Sequence, residues 1–143
     1  MKKSIWLFAI LFLASTLFVA CDNSTSVEVE QEEEQVVLRA LATNIGENET
    51  SISFSVLITN ILGQESLGGN AEFESDTNTP LILGTSEAGA TAIEVSVTTT
   101  EGGPVRLSIE MGEVDEDGSV EFEEILFVNG GLNQTVSLEY TTN

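Results

Sequence analysis

The chain has 143 residues, with 24 acidic and four basic side chains, no histidine and a net charge of −20. Two of the basic residues are Lys2 and Lys3, so everything beyond residue 21 carries Arg39 and Arg106 against 24 acids, a net of −22. Such a field repels nucleic acid and anionic lipid, both bound by Lys and Arg neutralising phosphates, and the lack of His and of later Lys removes Ser-His-Asp and Cys-His nucleophile pairs, Schiff-base lysines and His-ligated zinc.

Met1 to Cys21 sets the address. Lys2 and Lys3 make a positive start, Ile5 to Ala14 run apolar without a break, and Leu17-Phe18-Val19-Ala20 lead into Cys21, the only cysteine. This is the pattern of a secretory signal. Ile5 to Ala20 is 16 residues, about 24 Å as a helix, which falls short of a hydrocarbon core about 30 Å thick. Phe18-Val19-Ala20-Cys21 resembles the lipobox of bacterial lipoproteins, with Phe18 in place of the usual Leu. The resemblance implies a signal peptide over 1–20, cleavage before Cys21, and lipidation of Cys21 as a membrane anchor. The expected location is the cell envelope, on a bacterial membrane and in particular the outer one, facing the periplasm or the surface.

Residues 21–35 read as a lipidated cysteine followed by an acidic flexible tether. Blocks of like charge such as Glu32-Glu33-Glu34 repel and extend, and the 14 residues after Cys21 reach ~45 Å at about 3.3 Å each when stretched.

From Val36 onward the pattern is mostly period two. Val37, Leu41 and Ile45 also fit a helical spacing, but the β-branched Val36-Val37 and the turn residues from Thr43 to Asn48 favour a strand over Val36 to Thr43. Ser51 to Thr59 alternates Ile52, Phe54, Val56 and Ile58 with serines. Asn60 to Asn70, with Gly63, Gly68 and Gly69, reads as a turn region before a short strand at Ala71 to Glu74. After a polar break and Leu81-Ile82-Leu83, Thr91 to Thr99 and Val105 to Met111 alternate again. Asp115-Glu116-Asp117-Gly118 reads as a turn, after which Val120 and Phe122 are expected to face inward and Ile125 to Val128 to continue that face. Thr135 to Thr141 closes the chain. Phe54, Phe73, Phe122, Phe127 and Tyr140 are all expected in the core. The whole of 36–143 is expected to be all-β, an antiparallel sandwich of about seven or eight strands.

The order of Val36 to Ala40, Ile52 to Asn60, the Gly63-Gln64 turn, Ala71-Glu72-Phe73, Gly89 to Thr98 and Gly103 to Ile109 is similar to bacterial Ig-like repeats of the invasin and intimin type. That resemblance implies an Ig-like sandwich and a binding, adhesion or spacer role with a protein or glycan partner.

One stretch carries the spacing of a metal loop. With Glu113 as first position, Asp115, Asp117, Gly118, Val120, Glu121 and Glu124 fall at the third, fifth, sixth, eighth, ninth and twelfth positions of the EF-hand calcium template. Asp115, Asp117, Glu121 and Glu124 are therefore candidate calcium ligands of a weak surface module. The alternating strands on either side, where the template needs helices, favour a plain hairpin turn in which Gly118 supplies the positive φ. No other cofactor is expected. The leading reading is a non-enzymatic tethered module, and the alternative is a polysaccharide hydrolase that uses paired carboxylates.

Overall fold

The structure is a computed structural model, and it describes residues 35–75 and 78–143. The expected signal, Cys21 and the tether up to Glu34 lie outside the described residues. Eight strands follow in order: β1 (Val36–Asn44), β2 (Thr50–Asn60), β3 (Gly63–Phe73), β4 (Leu81–Thr85), β5 (Ala90–Glu101), β6 (Val105–Val114), β7 (Val120–Gly130) and β8 (Thr135–Thr141). They form two four-stranded sheets, β4-β1-β6-β7 and β3-β2-β5-β8, and every pairing is antiparallel. The chain is thus the expected all-β sandwich.

Period two decides which side chains meet between the sheets. Leu38, Ala40 and Ala42 of β1 and Val105, Leu107 and Ile109 of β6 face Ile52, Val56 and Ile58 of β2 and Ile93, Val95 and Val97 of β5 in one buried cluster. Val136, Leu138 and Tyr140 of β8 pack at its margin. Each fully buried Leu, Ile or Val contributes roughly 1.5–3 kcal/mol relative to exposure, so these four central strands hold the sheets together.

The expected turn over Asn60 to Asn70 is a strand instead. The chain reverses at Ile61-Leu62 alone, because the Asn60 side-chain Oδ1 accepts from the backbone N–H of Leu62 (2.8 Å) and Gly63 (3.0 Å). Gly69 then sits opposite Phe54 in the β2–β3 register, and a Cβ there would lie 3.6 Å from the ring. The aromatic covers the place where the glycine has no side chain, which restores packing that glycine otherwise removes from a strand.

A buried polar knot fixes the far end of β1. Asn44 is fully buried; its Nδ2 donates to the Asn48 carbonyl at 2.8 Å, and its Oδ1 accepts from Gly46 N at 3.0 Å and from the Thr50 hydroxyl at 3.2 Å. The Thr50 hydroxyl in turn accepts from Gly103 N at 3.0 Å. Gly102, at φ 87°, leaves no room for a side chain, since a Cβ would collide with the Glu49 carbonyl. Replacing Asn44 strands several of these groups, each at about 1–3 kcal/mol. Urea unfolding of Asn44→Ala should therefore show a loss comparable to that of Leu107→Ala, about 2–5 kcal/mol for a buried Leu→Ala. An N44A protein as stable as its parent would show that the knot does not secure this end.

Candidate functional site

The calcium template places its residues at a hairpin and on two different faces. Asp115 N donates to the Ser119 carbonyl (2.9 Å) and Gly118 N to the Asp115 carbonyl (2.8 Å), and Gly118 takes φ 82°, a turn of the kind that ends in a left-handed residue. The carboxylates are engaged inside it. Asp117 Oδ1 accepts from Ser119 N at 3.0 Å, and Asp115 Oδ2 accepts from the Ser119 hydroxyl at 3.1 Å. The Ser119 N–H, then its side chain, hold the Asp117 carboxyl below its ordinary pKa. Glu121 pairs with Glu113 across β6–β7, whereas Glu124 pairs with Glu110, so Glu121 and Glu124 project from opposite sides of the sheet. Among the described residues no three Asp, Glu, Cys or His side chains gather to hold a metal ion.

The first sheet's outward face is chemically richer. At β6–β7 the register shifts between Ile109 and Glu110: Ile109 pairs with Leu126 and Glu110 with Glu124, which leaves Ile125 as the extra residue of a bulge. Beyond it the inside-outside parity of β7 is reversed. Phe122, opposite Gly112, and Phe127, opposite Ser108, consequently both stand on the outer face. This corrects the expectation that Val120 and Phe122 face inward and that both rings belong to the core; Phe127 is 54% exposed. Phe54, Phe73 and Tyr140 do take core positions.

Both arginines of the domain lie on this face, and each is held the same way. Arg39 Nε donates to Glu110 Oε2 at 2.6 Å while its guanidinium lies 3.6 Å from the Phe122 ring centre. Arg106 Nη2 donates to Glu124 Oε1 at 2.5 Å while its guanidinium lies 3.8 Å from the Phe127 ring centre. Gly112 makes room for the first stack, since a Cβ there would sit 3.1 Å from Phe122 Cδ1 and collide with Val120. Each clamp joins a partly exposed ion pair, itself weak, to a cation–π contact of about 0.5–1 kcal/mol. Their common effect is to cancel charge locally.

One row across this face, Ile82-Leu41-Ser108-Phe127, follows from the register of β4, β1, β6 and β7. Ile82 is 54% exposed, while Leu41 and Ser108 are buried although they point outward; their cover has to come from neighbours on the same face. The result is an apolar, charge-balanced patch on a molecule that is otherwise strongly negative. The second sheet's outer face differs entirely. Ser53, Ser55, Ser96 and Ser137 alternate there with Thr98 and Thr135 in matching rows, and Thr98 to Thr135 (2.7 Å) and Ser137 to Ser96 (3.1 Å) bond to each other.

Two shallow depressions at the sandwich margins are lined by acids, Glu113, Asp115, Glu121 and Glu123 in one and Glu49, Glu72, Glu74 and Glu101 in the other. The signal for the outer-face rings lies in a break of the alternation. Glu123-Glu124 followed by Ile125-Leu126 doubles a polar and then an apolar residue, which is how a bulge interrupts alternation.

Two outcomes check this description. Millimolar calcium and EDTA should both leave the melting midpoint unchanged, and a calcium-dependent rise would restore the template reading. In an NMR titration Asp117 should protonate below the ordinary carboxylate range, and Ser119→Ala should raise it only part of the way, because the backbone N–H of residue 119 that contributes most is retained. Because the folded-state pKa is the lower one, this group's contribution to stability is present at neutral pH and is lost as pH falls through that depressed value.

No family model matches the chain, and no curated protein does. Among solved structures it is similar to a domain of unknown function, DUF4425, from Bacteroides vulgatus, at 14% identity and a TM-score of 0.40, over 77% of this chain and 98% of that one.

Proposed function

We propose that the protein is a lipoprotein of the bacterial cell envelope, anchored through acylated Cys21, whose Ig-like sandwich is a non-enzymatic binding or spacer module. The observation that carries the binding half is the outer face of β4-β1-β6-β7. An acidic protein repels most biological surfaces, which are themselves negative. Here a patch holding Phe127, Ile82 and the clamped Arg39 and Arg106 pairs each arginine with a glutamate, so it is neutral overall, and it exposes apolar side chains on β4 and β7. That is the composition of a contact surface, with aromatics and Arg enriched over Lys and free acids. The partner class is a protein or a glycan, both of which are recognised by exposed rings beside hydrogen-bonding Arg and Glu.

Carboxylate hydrolysis has less support. It calls for two carboxyls facing each other in a concave cleft, one of them held protonated at neutral pH, whereas the acids here line shallow margins and an exposed turn.

Two measurements test the reading. The mass of the mature protein should correspond to a chain that begins at acylated Cys21, and an unmodified Cys21 would sink the anchor. Binding to immobilised envelope proteins and glycans should weaken for Phe127→Ala by about thirtyfold, the equivalent of a 2 kcal/mol anchor residue, while Ser96→Ala on the opposite sheet binds as the parent does. Equal binding by all three proteins would remove this face as the site.

A further inference from the structure

The tip of the β2–β3 hairpin carries two large apolar residues in water: Ile61 is 77% and Leu62 90% exposed. Folding does not require them. The turn is closed by the Asn60 side chain on one side and Gly63 on the other, and two-residue reversals are ordinarily filled by polar or small residues. A single exposed Leu needs no explanation, but two adjacent ones at the most projecting point of a hairpin in so acidic a chain do.

Their position supplies one. Asn60 pairs with Ala90, and the preceding residue, Gly89, donates its N–H to the carbonyl of Val36 at 3.0 Å. Val36 is the first residue of β1, so the tip projects from the same end of the sandwich at which the chain enters from Cys21. The 14 residues between Cys21 and β1 cannot carry β1 farther than about 45 Å from Cys21, even fully stretched at about 3.3 Å each. An anchored domain therefore stays within reach of the membrane and is tethered at this end. The acidic turn at Asp115 to Gly118 joins β6 and β7 at the same end, but in the facing sheet and away from the β3–β4 side where the tip lies.

We infer that Ile61 and Leu62 seat in the lipid surface of the membrane that holds Cys21, a second contact that gives the domain one preferred orientation. The inference rests on the lipid-anchor reading. With the tip in the headgroup region at a depth of about 5–10 Å, the Asp115 turn is kept off anionic headgroups and the outer face of β4-β1-β6-β7 stands to the side, clear of lipid.

The full-length lipidated protein, purified from membranes and reconstituted in phosphatidylcholine vesicles with brominated acyl chains, provides the test. Trp6 departs with the signal on this reading, so tryptophan can be introduced singly as Leu62→Trp or, at the opposite end, as Leu132→Trp, where the parent residue is 51% exposed. Both substitutions replace solvent-exposed residues, and Ile61→Trp serves as a repeat of the first. The expected result is blue-shifted, bromine-quenched emission for L62W and I61W and unshifted, unquenched emission for L132W. If the protein floats with the vesicles but L62W and I61W emit as L132W does, the tip contact is wrong while the anchor stands. If the protein carries no acyl chain and does not float, the anchor reading fails and takes the tip contact with it.

Discussion

The extra residue in β7 governs the candidate surface. Without the bulge at Ile125, Phe122 and Phe127, an odd number of positions apart, would project from opposite faces of the sheet, and one of the two rings would compete for core space already filled by Leu107, Ile109 and Leu38. With it, β7 keeps Leu126 and Val128 packed against the core and turns both rings outward. Each ring then meets an arginine, and each arginine a glutamate from β6 or β7. One inserted residue thus gives a strand that packs on one side and sets both rings on the other.

The two sheets divide the labour of the sandwich unequally. Outside the core, the middle of β3-β2-β5-β8 offers short hydroxyl side chains that bond to one another across strands. The other sheet gathers the domain's arginines and two of its aromatic rings. Concentrating the scarce positive charge there does little for stability, since partly exposed ion pairs are weak. It does remove net charge from one region, and a region without net charge is where an acidic molecule can approach another surface at no electrostatic cost.

Much of the fold was legible in the sequence because alternation is a direct record of which side is buried. Ser51 to Thr59, Thr91 to Thr99, Val105 to Met111 and Thr135 to Thr141 all became strands with the anticipated faces. The failures have physical causes. β3 was hidden because Gly63, Gly68 and Gly69 look like turn residues, and only the pairing with β2, where Phe54 lies over Gly69, shows why glycine is tolerated in the strand. The candidate surface was hidden because period-two counting carries one error forward through the rest of a strand, so a missed bulge misassigned two rings. The knot at Asn44 was invisible for another reason: its partners, Thr50 and Gly103, come together only when β1, β2 and the β5–β6 connection are in place.

The sandwich leaves β3, β4, β7 and β8 at the margins of its sheets, each with a row of backbone groups facing outward. Proteins commonly guard such margins with lysine, which this domain lacks entirely. Glu65 and Glu72 on β3, Glu121 and Glu123 on β7 and Glu139 on β8 take its place, so three of the four margins are guarded by charge of a single sign. Two copies meeting edge to edge along these margins repel each other. The colloidal life of the protein is therefore tied to the salt content of its surroundings, because dissolved ions screen that repulsion.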